Sequence, residues 1–284
     1  MGRLNERRDT GRGDGTYVVA NGLRFHVTEQ GDGVPVLLLH GFPDTGDVWR
    51  RQLPALAGAG LRAIAPDLRG RGRSARPDGV EPYVLSELVA DAVGLLDALG
   101  IERAHVVGHD WGAVVAWGVA ALRPERVDRL AVLSVGFPGA VRPDRRALEQ
   151  AWYRLLFLFP EAEEVMRRDD WYLARTLLEG APDLETYLAE LADPGALTAG
   201  LNWYRANLPV GVTPGTDSPR LPHVQAATLG LFGADDRYLS ERAMIASADF
   251  VDGPWRYERI DDAGHWLQLE QPERVNELLL EFLR

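Results

Sequence analysis

Cysteine is absent from the 284 residues, which excludes disulfides, thiolate metal sites and a cysteine nucleophile. Lysine is absent too. All 31 basic residues are arginine, and chemistry that runs through a Schiff base or an amine nucleophile goes with it. No apolar run approaches the ~18 residues of a membrane helix. Met1–Gly15 carries four arginines and no apolar stretch, so it is no signal peptide, and Glu6 stands where a myristoylation signal needs Ser or Thr. The default expectation is a cytoplasmic protein with a loose tail over 1–15. Positive charge is also scarce: a net charge of −11 and a pI of 5.1 have the wrong sign for gripping nucleic acid or anionic lipid. What remains, 46% hydrophobic and 26% charged, is the composition of a globular protein.

From Thr16 onward, short apolar runs alternate with amphipathic ones. Tyr17–Ala20 and Leu23–Glu29 flank Asn21-Gly22, a hairpin signal. Strands are expected at Pro35–Leu39, Leu61–Ala65, Ala104–Val107, Leu130–Ser134, Ala227–Phe232 and Trp255–Ile260. Helices are expected at Val48–Ala57, Val84–Leu99, Gly112–Leu122, Ser240–Ala248 and Pro272–Leu283. This alternation predicts a mostly parallel sheet with helices on both faces. Residues 141–223 break the rhythm. They read as helical, hold Trp152, Tyr153, Phe157, Phe159, Trp171, Tyr172, Tyr187, Trp203 and Tyr204, and end in the Pro-rich strap Pro209–Pro222. Because the βα series resumes afterwards, they are expected to be an inserted helical cap on a core formed by 16–140 and 224–284.

The chemistry centres on Gly108-His109-Asp110-Trp111-Gly112, between a predicted strand and a predicted helix. This is the spacing of a nucleophile elbow, in which a tight turn pushes one side chain above the sheet. The projecting residue is Asp110. A carboxylate attacks esters and amides poorly, because the anhydride it would form is less stable than the substrate. At a saturated carbon it displaces a leaving group and forms an alkyl ester that water can later cleave. Electrophiles at sp³ carbon, such as epoxides or alkyl halides, are the expected substrates. His40-Gly41-Phe42-Pro43 follows a strand and can set the Phe42 backbone N–H beside that of Trp111 as an oxyanion hole. Gly264-His265-Trp266 precedes the last helix, where a general base would meet the elbow. Of the other histidines, His26, His105 and His223 have weaker contexts, and a backbone role suffices for His40 and His109. An acid in Gly233-Ala234-Asp235-Asp236-Arg237 would orient His265 and stabilise its imidazolium.

From Thr16 to its end the chain resembles the epoxide hydrolases of the α/β-hydrolase fold. The matching motifs are HGFPD at 40–44, DLRGRGRS at 67–74, GHDWGA at 108–113, LNWYR at 201–205 and DDAGHW at 261–266. The resemblance implies a triad of Asp110, Asp236 and His265, with Asp236 preferred over Asp235. It also implies two cap tyrosines that donate hydrogen bonds to the epoxide oxygen. Tyr204 is one. Tyr153 is the best match for the other, although Trp152-Tyr153-Arg154 departs from the usual pattern, and Tyr172 is held in reserve. Phe42, Trp111, Trp203 and Trp266, the aromatic residues of the motifs, are the expected substrate-binding surface. No metal or organic cofactor is implied, the partner is a small-molecule epoxide, and a homodimer is compatible with the reading. The competing readings are a haloalkane dehalogenase using the same nucleophile and a ligand-binding protein that has lost turnover. Against the first, residue 42 is Phe where a second halide donor is often found, and the tyrosine pair would have no task.

Overall fold

The structure, a computed structural model, describes residues 15–208 and 221–284. The predicted tail therefore lies outside the described residues except for Gly15, and the strap does so over 209–220. Strands β1 (Thr16–Ala20) and β2 (Leu23–Gln30) form the expected hairpin. Its turn residues Asn21 and Gly22 have φ of 46° and 73°, the conformation a two-residue type I′ connection demands. The chain continues through β3 (Val34–Leu39), α1 (Gln52–Gly58), β4 (Leu61–Pro66), α2 (Leu85–Ala98), β5 (Ala104–His109), α3 (Trp111–Leu122) and β6 (Val127–Leu133). Among the described residues five helices follow: α4 (Arg145–Gln150), α5 (Trp152–Phe157), α6 (Ala162–Leu177), α7 (Leu184–Leu191) and α8 (Ala196–Asn207). The βα series then resumes with β7 (Ala227–Gly233), α9 (Glu241–Ala246), β8 (Trp255–Ile260), α10 (Leu267–Glu270) and α11 (Pro272–Leu283).

The strands form one sheet in the order β1-β2-β4-β3-β5-β6-β7-β8, antiparallel at β1–β2–β4 and parallel elsewhere. The parallel sheet with helices on both faces is borne out. Alternate residues of the central strands feed two separate cores. Leu37, Leu39, Val106, Leu130 and Val132 join α2 and α3 on one face, while Val36, Leu38, Val107, Ala131 and Leu133 join α1 and α11 on the other. Period-two burial on both faces explains why these strands are continuous apolar runs. Each fully buried Leu or Val contributes roughly 1.5–3 kcal/mol. Most buried apolar residues of α5–α8, among them Phe157, Met166, Leu191 and Leu201, join the α2/α3 cluster, while Tyr187 of α7 joins the other, so these helices are packed onto the core.

Three expected boundaries differ. The helix expected over Val48–Ala57 is a 3-10 turn, Gly46–Trp49, followed separately by α1; the Thr45 hydroxyl caps the short first turn by accepting the Asp47 N–H. Strand β6 starts three residues before the expected Leu130, where Val127 pairs with Ala104, and ends before Ser134, whose φ of 69° leaves the extended region. The helix expected over Ser240–Ala248 ends at Ala246, and a 3-10 turn takes over from Ser247 to Phe250.

The strand order positions the site. From β3 the chain passes to β4 on one side and returns to β5 on the other, so the carboxyl ends of β3 and β5 flank a topological switch point. Crevices at such points are where open α/β sheets hold ligands. Phe42 follows β3 and Asp110 follows β5.

Candidate active site

Asp110 is the single residue between β5 and α3, with φ 51° and ψ −123°, a strained backbone for a residue with a side chain. The turn exists only because its flanks are glycine. A Cβ on Gly108 would lie 2.4 Å from the Gly112 carbonyl oxygen, and one on Gly112 would lie 2.1 Å from that of Leu39. Gly41 is as tightly constrained, since a Cβ there would meet Asp110 Oδ1 at 2.3 Å.

The two carboxylate oxygens have different partners. Oδ1 accepts the Phe42 N–H at 2.9 Å, and Oδ2 lies 3.6 Å from His265 Nε2. The Phe42 loop is held from behind by Arg71, which donates to the carbonyls of Pro43 and Asp44 and lies 5.4 Å from the Phe42 ring centroid. The Trp111 N–H opens α3, in the first turn where amides lack an intrahelical partner. His265 Nδ1 is 2.9 Å from Asp236 Oδ2, and Asp236 Oδ1 accepts from the N–H groups of Tyr238 and Leu239 at 2.8 and 3.0 Å. Asp235 is exposed, and its N–H is donated to the Ala263 carbonyl.

Burial alone would lower the His265 pKa, but the carboxylates of Asp236 and Asp110 outweigh it and raise it to about 10. Burial alone would likewise raise the Asp110 pKa, and the His265 imidazolium, aided by the Phe42 N–H, turns that into a net lowering. At neutral pH the resting site is therefore a carboxylate–imidazolium–carboxylate row.

Tyr153 and Tyr204 stand over Asp110, with ring centroids 6.4 Å apart. Burial pushes both phenols up, Tyr204 well above 10, and the Asp110 charge adds to it, so both are protonated donors at neutral pH. Together with Asp110 they line two cavities. The one on the His265 side, bounded by Phe42, Phe157, Tyr238 and Trp266, has about 30 Å³, enough for one or two waters. The one on the other side, bounded by Leu85, Trp111, Val114, Val135, Arg154 and Leu208, has about 370 Å³, the size of a small-molecule pocket.

The structure thus brings Asp110, His265, Asp236, Phe42, Trp111, Tyr153 and Tyr204 together. Trp266 lines the smaller cavity and donates its indole N–H to Asp44 at 3.2 Å. Trp203 lines neither cavity next to Asp110. Its indole donates to the Arg69 carbonyl and its ring packs edge-on against Trp111, so it backs the site rather than forming its surface. Tyr172 is 68% exposed and lines neither cavity. His40 has the expected backbone role, accepting the Leu68 N–H on Nε2. His109 Nε2 lies 2.9 Å from the His265 carbonyl oxygen. The sequence reading did not single out Tyr238, whose ring stands 5.0 Å from His265 and 5.9 Å from Tyr153 and whose hydroxyl donates to the Leu177 carbonyl. Its only signal was its place two residues beyond Asp236. In the sequence Arg154 stands out only as part of the departure at Trp152-Tyr153-Arg154.

Residues 36–278 match the family model described as "Alpha/beta hydrolase family". Epoxide hydrolase A of Mycobacterium tuberculosis is 39% identical, over 94% of this chain and 96% of that protein. The AB hydrolase superfamily protein YfhM of Bacillus subtilis is 33% identical over 94% and 97%. Among solved structures, the crystal structure of epoxide hydrolase A from Mycobacterium thermoresistibile superposes with a TM-score of 0.75 at 34% identity, covering 95% of this chain and 98% of that one.

Proposed function

The chain belongs to the epoxide hydrolases of the α/β-hydrolase family, and from that premise we propose that it opens an epoxide in two half-reactions on Asp110, beneath a cap formed by residues 141–223. In the first, Asp110 attacks one ring carbon from its elbow. The C–O bond breaks, and Tyr153 or Tyr204 donates a proton to the departing oxygen while the other phenol hydrogen-bonds to it. The enzyme then holds a hydroxyalkyl ester and a phenolate.

Esterification removes the negative charge that helps keep His265 protonated. The His265 pKa falls, and its proton can pass through the site to the phenolate, which restores the phenol and leaves a neutral imidazole. In the second half-reaction His265, oriented by Asp236, takes a proton from a water in the smaller cavity as its oxygen adds to the ester carbonyl. The Phe42 and Trp111 N–H groups stabilise the oxyanion, a contribution of roughly 10²–10³ in rate per donor. Collapse releases the vicinal diol and returns the Asp110 carboxylate and the His265 imidazolium. The sum is epoxide plus water to diol, with no proton left over.

The observation that carries this reading is the Asp110 carboxylate itself, bonded to the Phe42 N–H on one oxygen, facing His265 on the other and overhung by two protonated phenols. A haloalkane dehalogenase would leave those phenols idle, and Phe42 offers no side-chain donor to a halide. Single turnover in ¹⁸O-water with enzyme in excess tests it. The first diol should carry unlabelled oxygen, with the label in the peptide containing Asp110. A fully labelled first-turnover diol would mean that water attacks the epoxide directly.

A further inference from the structure

The larger cavity has an apolar side and a polar one formed by Asp110, Tyr153, Tyr204, Arg154 and Asn207. Leu85, Val114, Val135, Pro138 and Leu208 form the apolar side. Asn207 also borders it, but its amide is occupied: Nδ2 donates to the Tyr83 and Trp203 carbonyls and Oδ1 accepts the Leu85 N–H at 2.7 Å. The charged groups left on the wall are Asp110, which the reaction uses, and Arg154, which it does not.

Arg154 is unusual among the arginines around the active site. Arg69 is paired with Asp91 and Arg205 with Glu163, and Arg71 is held by two carbonyls. Arg154 has no carboxylate within ion-pair distance among the described residues. Its one polar contact is a long 3.5 Å approach to Tyr153 Oη. It is partly buried at the start of the cap, its guanidinium 5.9 Å from the Tyr153 ring centroid. Asp110 is the one carboxylate that shares this wall with Arg154, and the reaction consumes its charge, so a ligand that brings its own counter-charge would stabilise the partly buried guanidinium. Guanidinium is the side chain best shaped to bind a carboxylate through two parallel hydrogen bonds. The cavity on the Arg154 side has about 370 Å³ against about 30 Å³ on the other, so it offers the greater room for the body of a substrate.

Building on the epoxide-hydrolase reading, we propose that the preferred substrates are epoxides that bear a carboxylate, and that Arg154 is the specificity-determining residue that binds it. The epoxide carbon sits at Asp110, the aliphatic spacer lies along Val114, Val135 and Leu208, and the carboxylate reaches the guanidinium. Arg154 also shields that carboxylate from the like charge of Asp110, which would otherwise repel it.

The test compares a series of ω-epoxy carboxylates of increasing chain length, each beside its neutral primary amide. In the wild type, kcat/KM should favour the acid over the amide by roughly 10- to 100-fold at the best length, the worth of a charge-assisted hydrogen-bonded pair, expressed mainly in KM. Arg154→Gln should bring the acid-to-amide ratio to one or below, and Arg154→Lys should restore part of it. Calorimetry with heptanoate and heptanamide, which have no epoxide to react, reads the same site independently of turnover. The wild type should bind the acid more tightly and Arg154→Gln should not. If acid and amide are hydrolysed equally at every length and heptanoate binds no better than heptanamide, the proposal is wrong. It is also wrong if Arg154→Gln slows acid and amide alike with the ratio unmoved, since Arg154 would then be acting on Tyr153. If no epoxide yields diol while heptanoate still binds through Arg154, the anion site stands and the epoxide-hydrolase reading fails.

Discussion

Replacing His265 with Gln should trap the ester on Asp110 and, at the same time, make its formation depend on pH in a way it does not in the wild type. Asp110 is buried, and burial is the largest single influence on its pKa, acting upward. The hydrogen bond and the positive charge of His265 are the next two influences, and with His109 and the Phe42 N–H they reverse it. Glutamine removes the charge and leaves the interaction with His109 and the Phe42 N–H at 2.9 Å as the remaining support for the carboxylate. The Asp110 pKa should therefore rise above its ordinary value, and the fraction ionised near neutrality should fall. Alkylation survives, because nucleophile, elbow and phenols are intact. Hydrolysis loses its general base, a loss of about 10²–10⁴.

The assay is rapid quenching followed by intact-mass measurement. In the variant the protein should gain the full mass of the epoxide and hold it, and the rate of that gain should climb with pH as Asp110 ionises. In the wild type alkylation should stay level down to acid pH. Asp110→Asn should never gain mass. If folded His265→Gln gains no mass at any pH up to about 9, the assignment of Asp110 as nucleophile fails. A pH-independent gain would show that His265 does not govern Asp110 ionisation.

Tyr204→Phe should slow the alkylation step about 100-fold while leaving cleavage of a preformed ester unchanged, and adding Tyr153→Phe should cost far more than either change alone; pre-steady-state kinetics reads the two steps separately. Gly41→Ala drives a methyl to 2.3 Å from Asp110 Oδ1, and displacing a nucleophile by about 1 Å costs about 10² in rate, so kcat/KM should fall by at least that much. Overpacking there should remove roughly 1–3 kcal/mol, visible as a shifted urea midpoint with unchanged slope. Stability should also follow the charge row of the site. The raised His265 pKa contributes stability that is fully present below pH 6.5 and lost as pH rises through about 10. The lowered Asp110 pKa contributes stability present above pH 3.8 and lost as pH falls below it. Unfolding free energies measured from pH 4 to 10 should decline across the alkaline half, and His265→Gln should flatten that decline.

Much of this molecule was legible before its structure. Pro35–Leu39 and Ala227–Phe232 read as strands because residues buried on both faces of a parallel sheet leave an unbroken apolar run, and the two cores fed by Leu37 and Leu38 are the physical basis of that run. Asp110 was legible because a turn that tolerates no Cβ on either side writes two glycines around its projecting residue. Local pattern said less where structure depends on distant segments. The pairing of Val127 with Ala104 extends β6 beyond what hydropathy suggests, and Trp203 carries the aromatic signature of a pocket wall yet is spent on the Arg69 carbonyl. Tyr238 reaches the site from the loop after β7, so nothing near Tyr153 or Tyr204 announces it.

The protonation state of His265 was the least legible property of all. Read from sequence it is a neutral base held by one acid, whereas in the fold it stands between two carboxylates, 2.9 Å from Asp236 and 3.6 Å from Asp110, and is a cation at neutral pH. On the proposed mechanism, that difference orders the reaction. While Asp110 is ionised, His265 is protonated: it cannot activate water, and it keeps the nucleophile charged. Esterification of Asp110 cancels the charge that helps hold that proton, so the base becomes available only when there is an ester to hydrolyse. Two carboxylates around one imidazole thus give the site a sequence of steps as well as a set of groups, and the order needs no movement larger than that of a proton.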